Sequence, residues 1–161
     1  MATNHLEQLI AEWYEFRGYF VRRNVNVGRL PNGGYECELD VVAFNPCEKK
    51  FVHIEPSLDG DSWERREKRY TKKFAAGREY IPKLFDGFDV PAEIDQIAVL
   101  LRAGRRSIGG GRIIVVPELL REIVGGLSHR KIANQAVPEN FPLLRTIQFV
   151  AEFKEQVFGE Q

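Results

Sequence analysis

Two carboxylates separated by fourteen residues, Asp40 in YECELDVVAF and Glu55 in FVHIEPS, stand near the ends of two apolar runs. Successive side chains alternate across a strand, so His53, Glu55 and Ser57 are expected on one face of FVHIEPS, with Val52 and Ile54 on the other. The same period assigns Glu36, Glu38 and Asp40 to one face of YECELDVVAF, and Cys37, Leu39 and Val41 to the opposite one. If the NPCEKK turn pairs the two runs as an antiparallel hairpin with matched faces, Asp40 and Glu55 come within reach of one metal ion. Burying two carboxylates without a cation is costly. A hard divalent ion such as Mg²⁺, bound by oxygens and keeping several waters, offsets that cost. Glu38 reads instead as the solvent face of a half-exposed sheet, the usual source of alternation. His53 is either structural or a group that supports or ligates the metal.

The elements that must position these groups follow from pattern. Residues 4–17 place Leu6, Leu9, Ile10, Trp13 and Phe16 on one helical face, with Asn4 as N-cap, Glu7 three residues on and Gly18 as C-cap. YFVRRNVNV, YECELDVVAF and FVHIEPS then read as three strands, the first two joined by the turn-rich LPNGG. Asp61 with Glu64 resembles a capping box for a second helix in which Trp63, Tyr70, Phe74, Gly77 and Ile81 share a face. IDQIAVLLRA and RIIVVP are two further strands, followed by helices starting near Pro117 and Pro142. The predicted order is helix, three-stranded antiparallel meander, helix, strands and C-terminal helices, an α/β fold in a single domain over 1–161.

Bulk properties exclude several classes. With 161 residues, 43% hydrophobic and 29% charged, the chain has the make-up of one globular domain. Twenty-three basic residues balance twenty-three acidic ones, so attraction to a polyanion has to come from local clustering. MATNHLEQLIAEW lacks a signal-peptide build, and no uncharged stretch reaches a membrane span of ~18 residues. Cys37 and Cys47 form no CxxC pair, so a reduced cytoplasmic protein with no membrane partner is expected.

Asp40, fourteen intervening residues and Glu55-Pro56-Ser57, on this element order, resemble the PD-(D/E)-x-K nuclease superfamily, the restriction endonuclease-like fold. The resemblance covers about residues 4–117. It implies a Mg²⁺- or Mn²⁺-dependent endonuclease acting on DNA, with Asp40 and Glu55 as metal ligands. In the family an additional glutamate often sits on the first helix, before a Gly-aromatic pair. Glu7, eleven residues before Gly18-Tyr19, fits that place as well as it fits a capping acid. Two departures stand out: Leu39 replaces the motif proline, and Ser57 replaces the motif lysine. In the mechanism the resemblance implies, that lysine orients the attacking water and stabilises transition-state charge. Losing one such donor costs on the order of 10²–10³ in rate.

A replacement cation is available in the first half of the second helix, where Arg65, Arg66, Lys68, Arg69, Lys72 and Lys73 stand against Glu64 and Glu67. Arg65, Lys68 and Lys72 point away from the apolar face, whereas Arg66 and Lys73 flank it. Lys73 ranks first and Arg66 second as substitutes for the missing lysine. The basic stripe reads as a solvated helix face or as a phosphate contact, together with Arg105 and Arg106 in RAGRRSIGGGR, a flexible basic hairpin. Gly109-Gly110-Gly111 precedes a strand, so it is no phosphate loop. LSHRKIANQAV opens like a helix-turn-helix, but Pro138 and Pro142 interrupt its second helix. The alternative function is a catalytically inactive copy of the fold, retained as a nucleic-acid-binding or protein-interaction module. LLRTIQFVAEFKEQVF serves either the core or a homodimer interface.

Overall fold

Asn4 caps α1 (His5–Phe16) by accepting hydrogen bonds from the N–H groups of Leu6 and Glu7, and Gly18 ends it with φ of 90°. The computed structural model describes residues 4–91 and 93–159 of the domain expected over 1–161. After α1 come β1 (Phe20–Arg29), β2 (Tyr35–Asn45), β3 (Lys50–Ser57), α2 (Trp63–Leu84) and β4 (Ile94–Leu100). β5 (Ser107–Ile108), β6 (Gly111–Val115), α3 (Val116–Leu127), α4 (Ile132–Gln135), α5 (Pro142–Glu152) and α6 (Lys154–Phe158) complete the chain. The fold is α/β with one mixed sheet in the order β1-β2-β3-β4-β6-β5. β1, β2 and β3 form an antiparallel meander, and α2 then carries the chain across so that β4 lies parallel to β3.

Helices cover both faces of the sheet. Val41, Ala43, Val52, Ile54, Ile97 and Val99 pack against residues of α1, α3 and α5, including Ile10, Ile123 and Leu144. On the other face, α2 lays Ala76 and Ile81 on Val42, Phe44 and Phe51, and Tyr70 and Phe74 on Ala98, Leu100 and Ile113. Burying such side chains is worth ~1.5–3 kcal/mol each relative to exposure, so α2 is held by its apolar stripe while its basic side stays wet. The C-terminal segment contributes Leu144, Gln148 and Ala151 to the interior and leaves Phe149, Phe153 and Phe158 exposed.

Strict alternation along β2 does not hold. Cys37 and Leu39 pack on the α2 side together with Val42 and Phe44, whereas Val41 and Ala43 pack on the other side. The expectation that Leu39 lies opposite Asp40 with Val41 is therefore corrected. The phase changes at Asp40, and the facing strand changes with it. Val21 packs with the α1 side and Val25 with the α2 side, while Asn24 between them has the left-handed φ of 51°. A left-handed residue within a strand turns the following side chains to the other face, and asparagine tolerates it better than most.

Two other expectations change. The cap of α2 is Ser62, whose hydroxyl accepts from the Arg65 N–H, while Asp61 binds Arg69. The basic hairpin is docked: Gly109 and Gly110 make its turn with positive φ, and the Gly109 N–H donates to Glu67 of α2 at 2.9 Å. A side chain at Gly109 would strike the α2 backbone at Thr71 N, 2.5 Å away. α4 spans only four residues, too short for a recognition helix. No helix among the described residues is long and apolar enough to cross a membrane.

Candidate active site

The β2–β3 ladder runs from Asn45↔Lys50 to Val41↔Ile54 and then opens. The next residues in register are Asp40 and Glu55. Pro56, which has no N–H to donate, lies beyond the last β2 pair, where the missing donor leaves no gap in that ladder. In the fork, the Asp40 N–H donates to the Glu55 side chain at 3.1 Å. A carboxylate thus replaces the next rung of the sheet.

Lys73 of α2 enters this fork from the helix side. Its ammonium lies 2.7 Å from Asp40 Oδ1 and also contacts Glu55 Oε2. Glu55 is 1% exposed, Asp40 14% and Lys73 22%, so the opening faces solvent from the Asp40 and Lys73 side. Burial, then repulsion from Glu55, pushes the Asp40 carboxyl up to about 7. Burial also raises Glu55, against the pull of Lys73. Burial works to lower the Lys73 pKa, but attraction to Glu55 and Asp40 outweighs it and holds the ammonium above its ordinary value.

Behind Glu55 the imidazole of His53 is fully buried, with Nε2 2.7 Å from Glu55 Oε1. Burial, reinforced by the Lys73 charge, drives His53 down to about 3, so the ring is neutral near pH 7. Its tautomer follows from the bonds around it. The Gln96 amide nitrogen donates to the Phe74 carbonyl at 2.8 Å and to His53 Nδ1 at 3.1 Å, while Gln96 Oε1 accepts from Arg78 at 2.7 Å. Nδ1 is therefore the acceptor and the Nε2–H donates to Glu55. Tyr70 adds a hydrogen bond from its hydroxyl to the Glu55 carbonyl at 3.1 Å. The ring thereby fixes the orientation of Glu55.

Glu7 accepts from Asn4 at 2.8 Å and lies 3.8 Å from Arg23. Burial, then the negative charge of Asp40, raises its pKa. Arg66 does not join the site. It holds Asp59, at 3.3 Å through the carboxylate and 2.6 Å through the carbonyl oxygen. Ser57 hydrogen-bonds to Asp59 and accepts from Arg69 at 3.4 Å, and Arg69 in turn grips Asp59 at 2.6 Å and Asp61 at 2.8 Å. Neither Asp59 nor Arg69 has a site role in the sequence reading, where Asp61 figures only as the expected cap of α2. The i, i+4 spacing of Arg69 and Lys73 is the one signal that links that cluster to the site.

The remaining basic residues stand outside. Arg65 and Lys68 make exposed pairs with Asp61 at 3.9 Å and Glu64 at 3.1 Å, and Lys72 is exposed. Arg105 lies 4.7 Å from the Trp63 ring, and Arg106 pairs with Glu118 at 2.9 Å.

Asp59 gives this cluster a pH signature. Partial burial would raise its carboxyl, but hydrogen bonds from Ser57 and the Asp61 N–H, with the charge of Arg69, bring it down to about 2. A folded pKa below the unfolded 3.8 contributes stability that is complete above that value and lost as pH falls through about 2. Asp59→Asn is expected to melt below the wild type at pH 6, with the gap closing between pH 4 and pH 2 in thermal scans.

Among the described residues no group of three or more His, Cys, Asp or Glu side chains is arranged to hold a metal ion. Asp40 and Glu55 supply two carboxylates, and the ammonium gathered between them shows that the pair accommodates a cation. An oxygen-only pair at an open site suits a hard divalent ion that keeps most of its waters. No model of a known protein family matches the chain, and no curated protein sequence matches it.

Proposed function

We propose that the chain is a Mg²⁺-dependent phosphodiesterase acting on DNA, with Asp40 and Glu55 holding the metal. Its scaffold would be a restriction endonuclease-like fold of the PD-(D/E)-x-K type, in which Lys73 takes the part of the motif lysine. The observation that carries this reading is the ammonium of Lys73 set between Asp40 and Glu55 where the β2–β3 ladder opens. Further support comes from the element order, an antiparallel meander followed by a helix and a parallel fourth strand.

When bound, Mg²⁺ or Mn²⁺ would polarise the phosphoryl oxygen and lower the pKa of a water. The chain's own groups do the rest. His53 and the Asp40 N–H hold one oxygen of Glu55, so the other, Oε2, faces the opening, where Lys73 contacts it. Lys73 supplies the positive charge that Ser57 lacks, to orient the attacking water and to offset charge on the phosphoryl oxygens. The exposed Arg65, Lys68 and Lys72 along α2, with Arg105 and Arg106, offer contacts to the phosphate backbone.

Incubation of plasmid and branched DNA with the protein and Mg²⁺ or Mn²⁺ tests the reading. Lys73→Ala is expected to lower the rate by about 10²–10³ while substrate affinity changes far less. The second reading, an inactive binding module, draws on the uncharged Ser57. Its signature is salt-sensitive DNA binding without cleavage under any divalent ion. Cleavage that resists mutation of both carboxylates would remove the metal site.

A further inference from the structure

Two of the oxygens a metal would use, Asp40 Oδ1 and Glu55 Oε2, already hold an ammonium. Glu55 Oε1 is occupied by His53 Nε2 and the Asp40 N–H, so Glu55 presents Oε2 to the opening, and Lys73 binds that atom together with Asp40 Oδ1. An ammonium and a divalent ion set against the same two oxygens repel each other, so the metal and Lys73 compete for that position. Among the described residues Lys73 is also the one lysine or arginine within ion-pair distance of either carboxylate: Arg69 is tied to Asp59 and Asp61, and Arg23 to Glu7.

Resting on the phosphodiesterase reading, we propose that Lys73 is a resident counter-ion that a divalent cation must displace, and that the released ammonium then binds the phosphodiester. Charge gives the exchange its purpose. With Lys73 alone, two carboxylates leave the site at a net negative charge, which repels an anionic substrate. With a divalent ion added, the same groups sum to a net positive charge, which attracts it. Lys73 is suited to the move because its charge sits on a flexible four-carbon stem that is partly exposed. Metal loading thus precedes productive binding of nucleic acid, and the unloaded protein keeps its carboxylates paired.

Calorimetric titration of the wild type and Lys73→Met with Mg²⁺ alone, without nucleic acid, tests the exchange. Removing the competitor is expected to tighten Mg²⁺ binding by about tenfold or more. In the wild type, the ¹³Cε–¹Hε signal of Lys73 is expected to shift with the same midpoint as Mg²⁺ uptake, a measurement that needs no variant to fold. Equal affinities in the two proteins, or uptake with the Lys73 signal unmoved, overturn the exchange and leave the metal site intact. No Mg²⁺ uptake by either protein overturns the metal reading itself.

Discussion

Glu55→Gln is expected to abolish divalent-dependent DNA cleavage, by more than the ~10²–10³ that loss of a single hydrogen-bond donor costs. The substitution replaces a carboxylate oxygen with an NH₂ group in a fork that already holds three donors: the Lys73 ammonium, the His53 Nε2–H and the Asp40 N–H. Whichever way the amide turns, one of these faces another donor. Breaking a buried pair from one side costs about 3–5 kcal/mol, so a loss of stability accompanies the loss of activity. Asp40→Asn is a milder perturbation because Asp40 is closer to solvent, and its cleavage defect is expected to respond to higher Mg²⁺. Plasmid cleavage measured beside circular dichroism and thermal melting separates the two effects. A folded Glu55→Gln protein that cuts at the wild-type rate excludes Glu55 as a ligand.

Gly77→Ala is expected to destabilise the protein even though alanine favours a helix over glycine by about 1 kcal/mol. A methyl group at this position of α2 would lie 2.3 Å from His53 Nδ1, 2.6 Å from Cε1 and 3.0 Å from Gln96 Nε2. The imidazole cannot retreat, because its other edge is held by Glu55 and Phe74 packs against it edge-on. Overpacking costs about 1–3 kcal/mol, and a strained Gln96–His53 hydrogen bond adds about 1 kcal/mol. The net is roughly 2 kcal/mol, or about 4–8 °C in melting temperature for a domain of this size. Gly125→Ala on α3, where nothing lies within 4 Å, is the control and is expected to be neutral or stabilising. Cleavage should fall in the first variant and not in the second, since only Gly77 touches the group that orients Glu55.

Periodicity made much of the scaffold legible. The N-cap of α1, the apolar faces of α1 and α2 and the meander could be read from spacing, because each depends on neighbours close in sequence. The cap of α2 lies one residue past Asp61, at Ser62. The approach of Asp40 to Glu55 was legible from strand register. The side of the sheet taken by Leu39 was not, since it depends on Asn24 of another strand adopting a left-handed φ. Helical geometry brought out Lys73 and Arg66 alike. What separates them is Asp59, a loop carboxylate that captures Arg66 and Arg69 and that no repeat in the sequence places. The Gln96–His53 contact spans 43 residues and two strands, beyond the reach of any local pattern.

The crossover from β3 through α2 to β4 has a consequence for how the molecule comes to be folded. Glu55, His53, Tyr70, Lys73 and Gln96 all belong to that one unit, and Asp40 joins it through the adjacent hairpin. The Lys73 contacts span 18 and 33 residues, whereas the contacts of Glu12 with the start of α5 span 131 and 132. Short closures are entropically cheaper than long ones, which favours early formation of the charged fork over the docking of the C-terminal helices. The nascent chain thus meets the problem of two adjacent carboxylates at a stage when the lysine that neutralises them is already near.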